Sequence, residues 1–259
     1  KAIRRQRQMC IRDSICTSLI SCSNSYQQSQ NLEIPINTIE RAENIYYRLG
    51  YTVSFNPELN IPNWVAWELN SSKLVEKESR AGHFYPDPDI PRGIAVETGD
   101  YSNSGYDRGH MCPAADNKWD KQAMRESFYM TNICPQHHNL NRGDWKELED
   151  DCRRWVEESG TIYIACGPIL YKNDISYIGE ERKIRVPNAF FKVILAGLDE
   201  GKPRAIGFIY KNASGNNPLD HYVNSVDQVE RITGLDFFSQ LPDDVENEIE
   251  SNYNLNQWR

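Results

Sequence analysis

Apolar residues alternate at Tyr51, Val53 and Phe55, then run almost unbroken from Trp64 to Leu69, with Pro57 and Pro62 expected to punctuate the connection. Alternation and short β-branched or aromatic runs predict strands. The same reading predicts strands at Thr161 to Ala165, Phe190 to Ala196 and Ala205 to Tyr210, each bounded by Gly, Pro or charge. Two stretches carry a helical period instead. Trp145, Leu148, Cys152, Trp155 and Val156 recur at the spacing of one helix face, with Asn141 to Asp144 as an entry loop and Gly160 as a stop. Ser225 and Gln228 form a capping-box pattern, Val226, Val229 and Ile232 supply a buried stripe, and Gly234 ends the helix. Between these sets, Ser71 to Gly105 is polar and rich in Pro and Gly, and its PDPDIPRG run (Pro86 to Gly93) reads as loop. Trp145 and Trp155 are expected to pack in the core. The pattern predicts an α+β domain.

The N-terminal residues stand outside this logic. Arg4 to Ser14 reads RRQRQMCIRDS, whose back-translation in one frame resembles a transposase adapter used in sequencing libraries, so residues 1–14 are expected to replace the true start. Ile15 to Ser21 then resembles the tail of an apolar export segment. Leu19, Ile20, Ser21 and Cys22 resemble a bacterial lipobox with Cys22 as the lipid anchor, and Ser23 to Asn31 reads as a polar tether. This predicts a protein exported from a bacterium, either as a membrane-anchored lipoprotein or in secreted or periplasmic form. The membrane would then be a partner only through that anchor. Residues 32–259 remain as one domain, with no internal repeat and no second linker.

Charge narrows the partners. The chain has 29 basic and 37 acidic residues, and without residues 1–14 the balance is 24 against 36. An acidic domain is a poor electrostatic footprint for tight, stoichiometric DNA binding, but it suits an enzyme that touches a polyanion briefly through a few arginines and a metal ion. Cys112, Cys134, Cys152 and Cys166 lie in the domain body, and in an exported protein they allow up to two disulfides in any of three pairings. Cys112 and Cys134 with His110 and His137 could also suggest zinc, but their spacings match no standard finger.

Candidate chemistry centres on two segments. Asp107, Arg108, Gly109 and His110 form DRGH, placing an imidazole on a glycine-loosened chain, and Thr131 to Glu149 reads TNICPQHHNLNRGDWKELE. A phosphodiester is shielded by its own negative charge, so its hydrolysis needs a base, an electrophile and stabilisation of the leaving oxyanion. His110 can be the base, because a neutral imidazole is available near neutral pH. Asn141 can hold Mg²⁺ by its amide oxygen and leave most of the shell to water and phosphate. Glu149, one turn beyond Trp145, can return a carboxylate to the metal's waters. The helix N-terminus near Asn141 would add positive potential. Singly, each has a plainer competitor: a satisfied histidine, a helix cap and a solvated acidic face.

Five ordered blocks change that balance: NWVAWEL at Asn63 to Leu69, YDRGHMCPAAD at Tyr106 to Asp116, TNICPQ at Thr131 to Gln136, LNRGDWKELE at Leu140 to Glu149, and TGLDFF at Thr233 to Phe238. Together they resemble the DNA/RNA non-specific endonuclease family of the ββα-metal superfamily, from about Tyr51 to Phe238. The resemblance implies a central antiparallel sheet with packed helices and a ββα-metal finger holding one Mg²⁺, with Mn²⁺ as a substitute. It assigns His110 as base, Asn141 as metal ligand, Glu149 as the acid ordering the metal's waters, Asn132 as a second active-site asparagine and Arg80 as the arginine that stabilises the transition state. Arg108 and Arg142 are candidate phosphate contacts. It further implies in-line hydrolysis of DNA and RNA to 5′-phosphate products, with little sequence preference because contacts go to phosphate and sugar. The alternative is an exported nucleic-acid-binding or interaction module that kept the finger and lost turnover. Such a homologue is expected to lose His110 or Asn141, and both are present.

Overall fold

The computed structural model describes residues 31–258; the adapter-like and lipobox readings, including Cys22, lie outside the described residues. Nine strands matter for the site: β1 (Asn44–Tyr47), β2 (Thr52–Asn56), β3 (Ile61–Leu69), β4 (Asp107–His110), β5 (Ile133–Gln136), β6 (Ile162–Ile169), β7 (Ala189–Ala196), β8 (Arg204–Lys211) and β9 (Val223–Asn224). Seven of them form one antiparallel sheet in the order β9-β8-β7-β6-β3-β2-β1. The helices are α1 (Lys121–Ser127), α2 (His138–Arg142), α3 (Asp144–Ser159), α4 (Val226–Thr233) and α5 (Asp243–Ser251).

The continuous apolar runs follow from burial on both faces of the sheet. Phe190 and Ile194 of β7 point into one core with Val65, Trp67, Ile164, Phe208, Trp145, Leu148 and Trp155. Phe191, Val193 and Leu195 point into a second core with Trp64, Ala165, Val226, Val229, Phe237 and Phe238. The paired strands β4 and β5 with α3, the ββα finger, therefore cover one face, and α4 with the Leu235 to Leu241 segment covers the other. Lys192 is the exception within β7. It is fully buried on the finger face, its Nζ 4.4 Å from the centre of the Trp145 ring and 5.6 Å from that of Trp67.

Several expectations need correction. Pro62 lies inside β3, not in a connection, paired with Phe55 where the β2–β3 register shifts between Ser54 and Phe55. A bulge of that kind tolerates a missing donor. Asn141 to Asp144 is not an entry loop: Asn141 belongs to α2, Gly143 breaks the helix, and α3 starts at Asp144. Ile232 is 47% exposed, and the buried contact falls to Leu235, beyond the left-handed turn at Gly234. The four cysteines are free, buried thiols and not disulfides. They line no metal cluster among the described residues. Ser225 does cap α4, its Oγ accepting from Gln228 N at 3.2 Å.

Candidate active site

Strands β4 and β5 pair antiparallel, with Gly109 opposite Cys134 and His110 opposite Ile133. Gly109 is there for close approach, not for looseness: a Cβ would meet Gln136 Oε1 at 2.2 Å and Gln136 Cβ at 2.6 Å. A strand alternates its faces, so Arg108 and His110 share one side and Asp107 takes the other. The DRGH segment therefore feeds two different clusters.

The first cluster surrounds an aromatic pair that the sequence reading missed. Phe84 and Phe128 meet edge to face at 5.1 Å, and the His110 ring lies 5.2 Å from Phe84 and 4.7 Å from Phe128. His110 is only 8% exposed. Its Nε2 is sealed from solvent without a hydrogen-bond partner, so the remaining exposure lies at the other edge of the ring. Burial, reinforced by the charge of Arg80, depresses the imidazole pKa to about 3. Arg80 reaches His110 because its loop is tied down at both ends. Lys77 N and Glu78 N donate to Lys118 O, while Tyr85 N donates to Phe128 O and Met130 N to Tyr85 O. The guanidinium of Arg80 lies 5.4 Å from the centre of Phe128, and that of Arg108 lies 5.6 Å from Phe84. Arg108 also donates to Thr98 O at 2.7 Å.

The second cluster forms at the other end of β4. Asn141 Nδ2 donates to Asp107 Oδ2 at 2.9 Å, which leaves Asn141 Oδ1 without a hydrogen-bond partner among the described residues. His138 Nδ1 contacts Asp107 Oδ1 at 3.2 Å, and the exposed Arg142 approaches Asp107 Oδ2 at 3.7 Å. The Asp107 carboxyl is consequently held below its ordinary range: burial works against this, but Asn141, His138 and Arg142 outweigh it. Asp107 was visible in the motif but had no role assigned; its contact with Asn141 exists only in the folded chain.

Glu149 and Asn132 sit differently. Burial pushes the Glu149 carboxyl up to about 7, with Asp116 adding repulsion and Lys192 and Arg153 opposing. Asp116 is buried and bonded to Trp67 Nε1 at 3.1 Å and to Arg153 at 2.8 Å. Glu149 thus borders a buried charged cluster under the finger. Asn132 is fully buried and its amide is saturated: Oδ1 accepts from Cys112 N, and Nδ2 donates to Cys112 O and Ser127 O. It braces the chain just after His110 and offers no free atom to a substrate.

The DNA/RNA non-specific endonuclease family model matches residues 27–244, a wider span than the five sequence blocks. The chain belongs to this family. It is 36% identical over 210 residues to mitochondrial nuclease 1 of Schizosaccharomyces pombe, covering 74% of this chain and 65% of that protein. It is also 36% identical to a nuclease of a Nostoc species, covering 78% of this chain and 75% of that protein. Against the mitochondrial nuclease EXOG of Danio rerio it spans 62% of the relative's length. A solved structure of an EndoG/EndoGI complex superposes with a TM-score of 0.72 at 26% identity, covering 79% of this chain and 89% of that one. The family relationship and the antiparallel sheet carrying a ββα finger agree.

Proposed function

We propose that this chain is a magnesium-dependent endonuclease that hydrolyses phosphodiester bonds in DNA and RNA without sequence preference and leaves 5′ phosphates. The observation that carries the reading is His110: an imidazole buried between Phe84 and Phe128 with one nitrogen sealed, a setting that with the nearby cation Arg80 favours its neutral form. Because Nε2 is sealed from solvent, Nδ1 is the nitrogen assigned to accept a proton from an attacking water. Arg80 lies where a guanidinium can neutralise charge building on the phosphate.

The residues present fit a hard divalent ion. Asn141 offers a neutral oxygen whose orientation Asp107 fixes, as expected of a ligand with a supporting shell. Asn141 would hold the ion and Glu149 would order its waters; bound there, Mg²⁺, or Mn²⁺ in its place, supplies Lewis-acid stabilisation of the phosphate. Arg108 and Arg142 are the proposed phosphate contacts, and Asn132 acts as a positioning residue. Incubating the full chain with plasmid and with RNA, with and without chelator, and then analysing the product ends, tests the whole reading. Cleavage that survives the chelator, or 3′-phosphate ends, would overturn it.

Export and lipidation at Cys22 are proposed on the sequence pattern alone. With a native signal restored, the protein should partition into detergent and Cys22→Ser should release it. Equal partitioning of the two forms would leave simple secretion. No helix among the described residues is long and apolar enough to cross a membrane.

A further inference from the structure

On the face of the sheet opposite the finger, α4 and α5 bring three carboxylates together. Asp227 and Glu230 stand one turn apart on α4, and Glu250 comes from the last turn of α5. One oxygen from each lies within 4.8 Å of the others. Glu250 is only 3% exposed, and its Oε1 has no hydrogen-bond partner. None of the three makes an ion pair with a Lys or Arg among the described residues. Of the three, Glu230 accepts a hydrogen bond from Phe237 N at 2.9 Å. A buried carboxylate set against two further carboxylates, with one of its oxygens left without a donor, is an arrangement that needs a proton or a cation.

We infer that Asp227, Glu230 and Glu250 form a calcium-binding site, separate from the active site, that ties α4 to α5 over the second hydrophobic core. Calcium fits the donor set: it takes ~6–8 oxygens, carboxylates among them, in a flexible shell, whereas magnesium demands a near-ideal octahedron and keeps several of its own waters. Three carboxylates from two helices leave positions for waters, which suits the flexible shell of this ion. The electrostatics agree with the geometry. Burial and the surrounding carboxylates, Glu246 and Asp236 among them, push Glu250 up to about 10 and Glu230 to about 7, a direction that favours bound protons where no cation is present. An ion would displace them and remove the repulsion between the helices. The helices concerned cap the core that holds Val226, Val229 and Phe237, with Val245 and Ile249 packed against it. The gain would therefore appear as stability, not as turnover.

The test is thermal melting of the full chain at pH 7.5, after removal of metal, with calcium added, for wild type, Asn141→Ala, Glu250→Gln and Asp227→Asn. Wild type and Asn141→Ala should each gain roughly 5–10 °C once calcium is in about hundredfold excess over its Kd. Glu250→Gln, which keeps the shape of the protonated side chain, should lose most of that gain. Asp227→Asn, at a partly exposed position, gives the same comparison should Glu250→Gln fail to fold. An equal gain in all four proteins overturns the site, as does a wild type that calcium does not stabilise. A gain abolished by Asn141→Ala but kept by both carboxylate variants assigns the binding to the active site and also overturns it.

Discussion

Asn141 Nδ2 donates to Asp107 Oδ2 across 2.9 Å, joining the first residue of β4 to the last turn of α2. That one contact turns the Asn141 amide so that its oxygen, not its nitrogen, is free. Asp107→Ala should therefore raise the magnesium concentration for half-maximal plasmid nicking by ~10–100-fold, as loss of a supporting partner does at other metal sites. Asn141→Ala should raise it further. The double variant should cost less than the sum of the two, since both act on one ligand. Additive effects in a magnesium titration would separate Asp107 from the metal.

His110→Ala should reduce nicking by at least ~10²–10⁴-fold. Its ring is wedged between Phe84 and Phe128, so the truncation leaves a cavity and should lower Tm by a few degrees at pH 7.5. The pH dependence gives a second readout. The folded pKa of about 3 lies below the usual 6.5, so the unfolded chain takes up the proton first as pH falls. The stability from a neutral His110 is present above about pH 6.5 and is lost towards pH 3. The difference in Tm between wild type and His110→Ala should consequently shrink from pH 7.5 to pH 4.5. A constant difference would mean the imidazole titrates normally.

Glu149 has the opposite linkage. Its folded pKa of about 7 is above the carboxylate value of 4.5, so the folded state holds the proton longer as pH rises. Stability tied to the protonated form is present below about pH 4.5 and is lost as pH climbs through 7. Glu149→Gln should match wild type in urea unfolding at pH 5 and exceed it at pH 8, while its metal-dependent rate falls at both. A variant less stable than wild type at pH 8 would show that the Lys192 and Arg153 interactions outweigh the burial of Glu149.

Few cations face the site, so nucleic-acid affinity should depend weakly on salt. With His110→Ala blocking cleavage, the logarithm of affinity against the logarithm of monovalent salt should have a slope on the order of −2 to −4. Arg108→Ala should flatten it by roughly one. Arg108 is already bonded to Thr98 O and lies against Phe84 and Tyr101, so an unchanged slope would identify it as a brace for the aromatic pair. A slope on the order of −6 would reveal a basic track beyond these arginines.

By itself the sequence determined the elements whose burial has a simple period. Trp145, Leu148, Cys152, Trp155 and Val156 mark α3 because one helix face meets one core, and β7 reads as an apolar run because both of its faces are covered. Ordered motifs likewise identified the family and singled out His110 and Asn141 as candidates. Folding decided what depends on contacts between distant residues. Helix α1 is seven residues long, and its cap, Asp120 accepting from Gln122 N and Ala123 N, leaves no longer-range period. Helix α5 buries Glu246 and Glu250, so its pattern reads as solvated until α4 is placed beside it. Asp107 gains its role only when 34 residues of separation close to a hydrogen bond, and Phe84 and Phe128 meet His110 only when two loops are tied together. Periodicity records which side of an element is dry; it does not record which polar atoms from different elements will share that dry space.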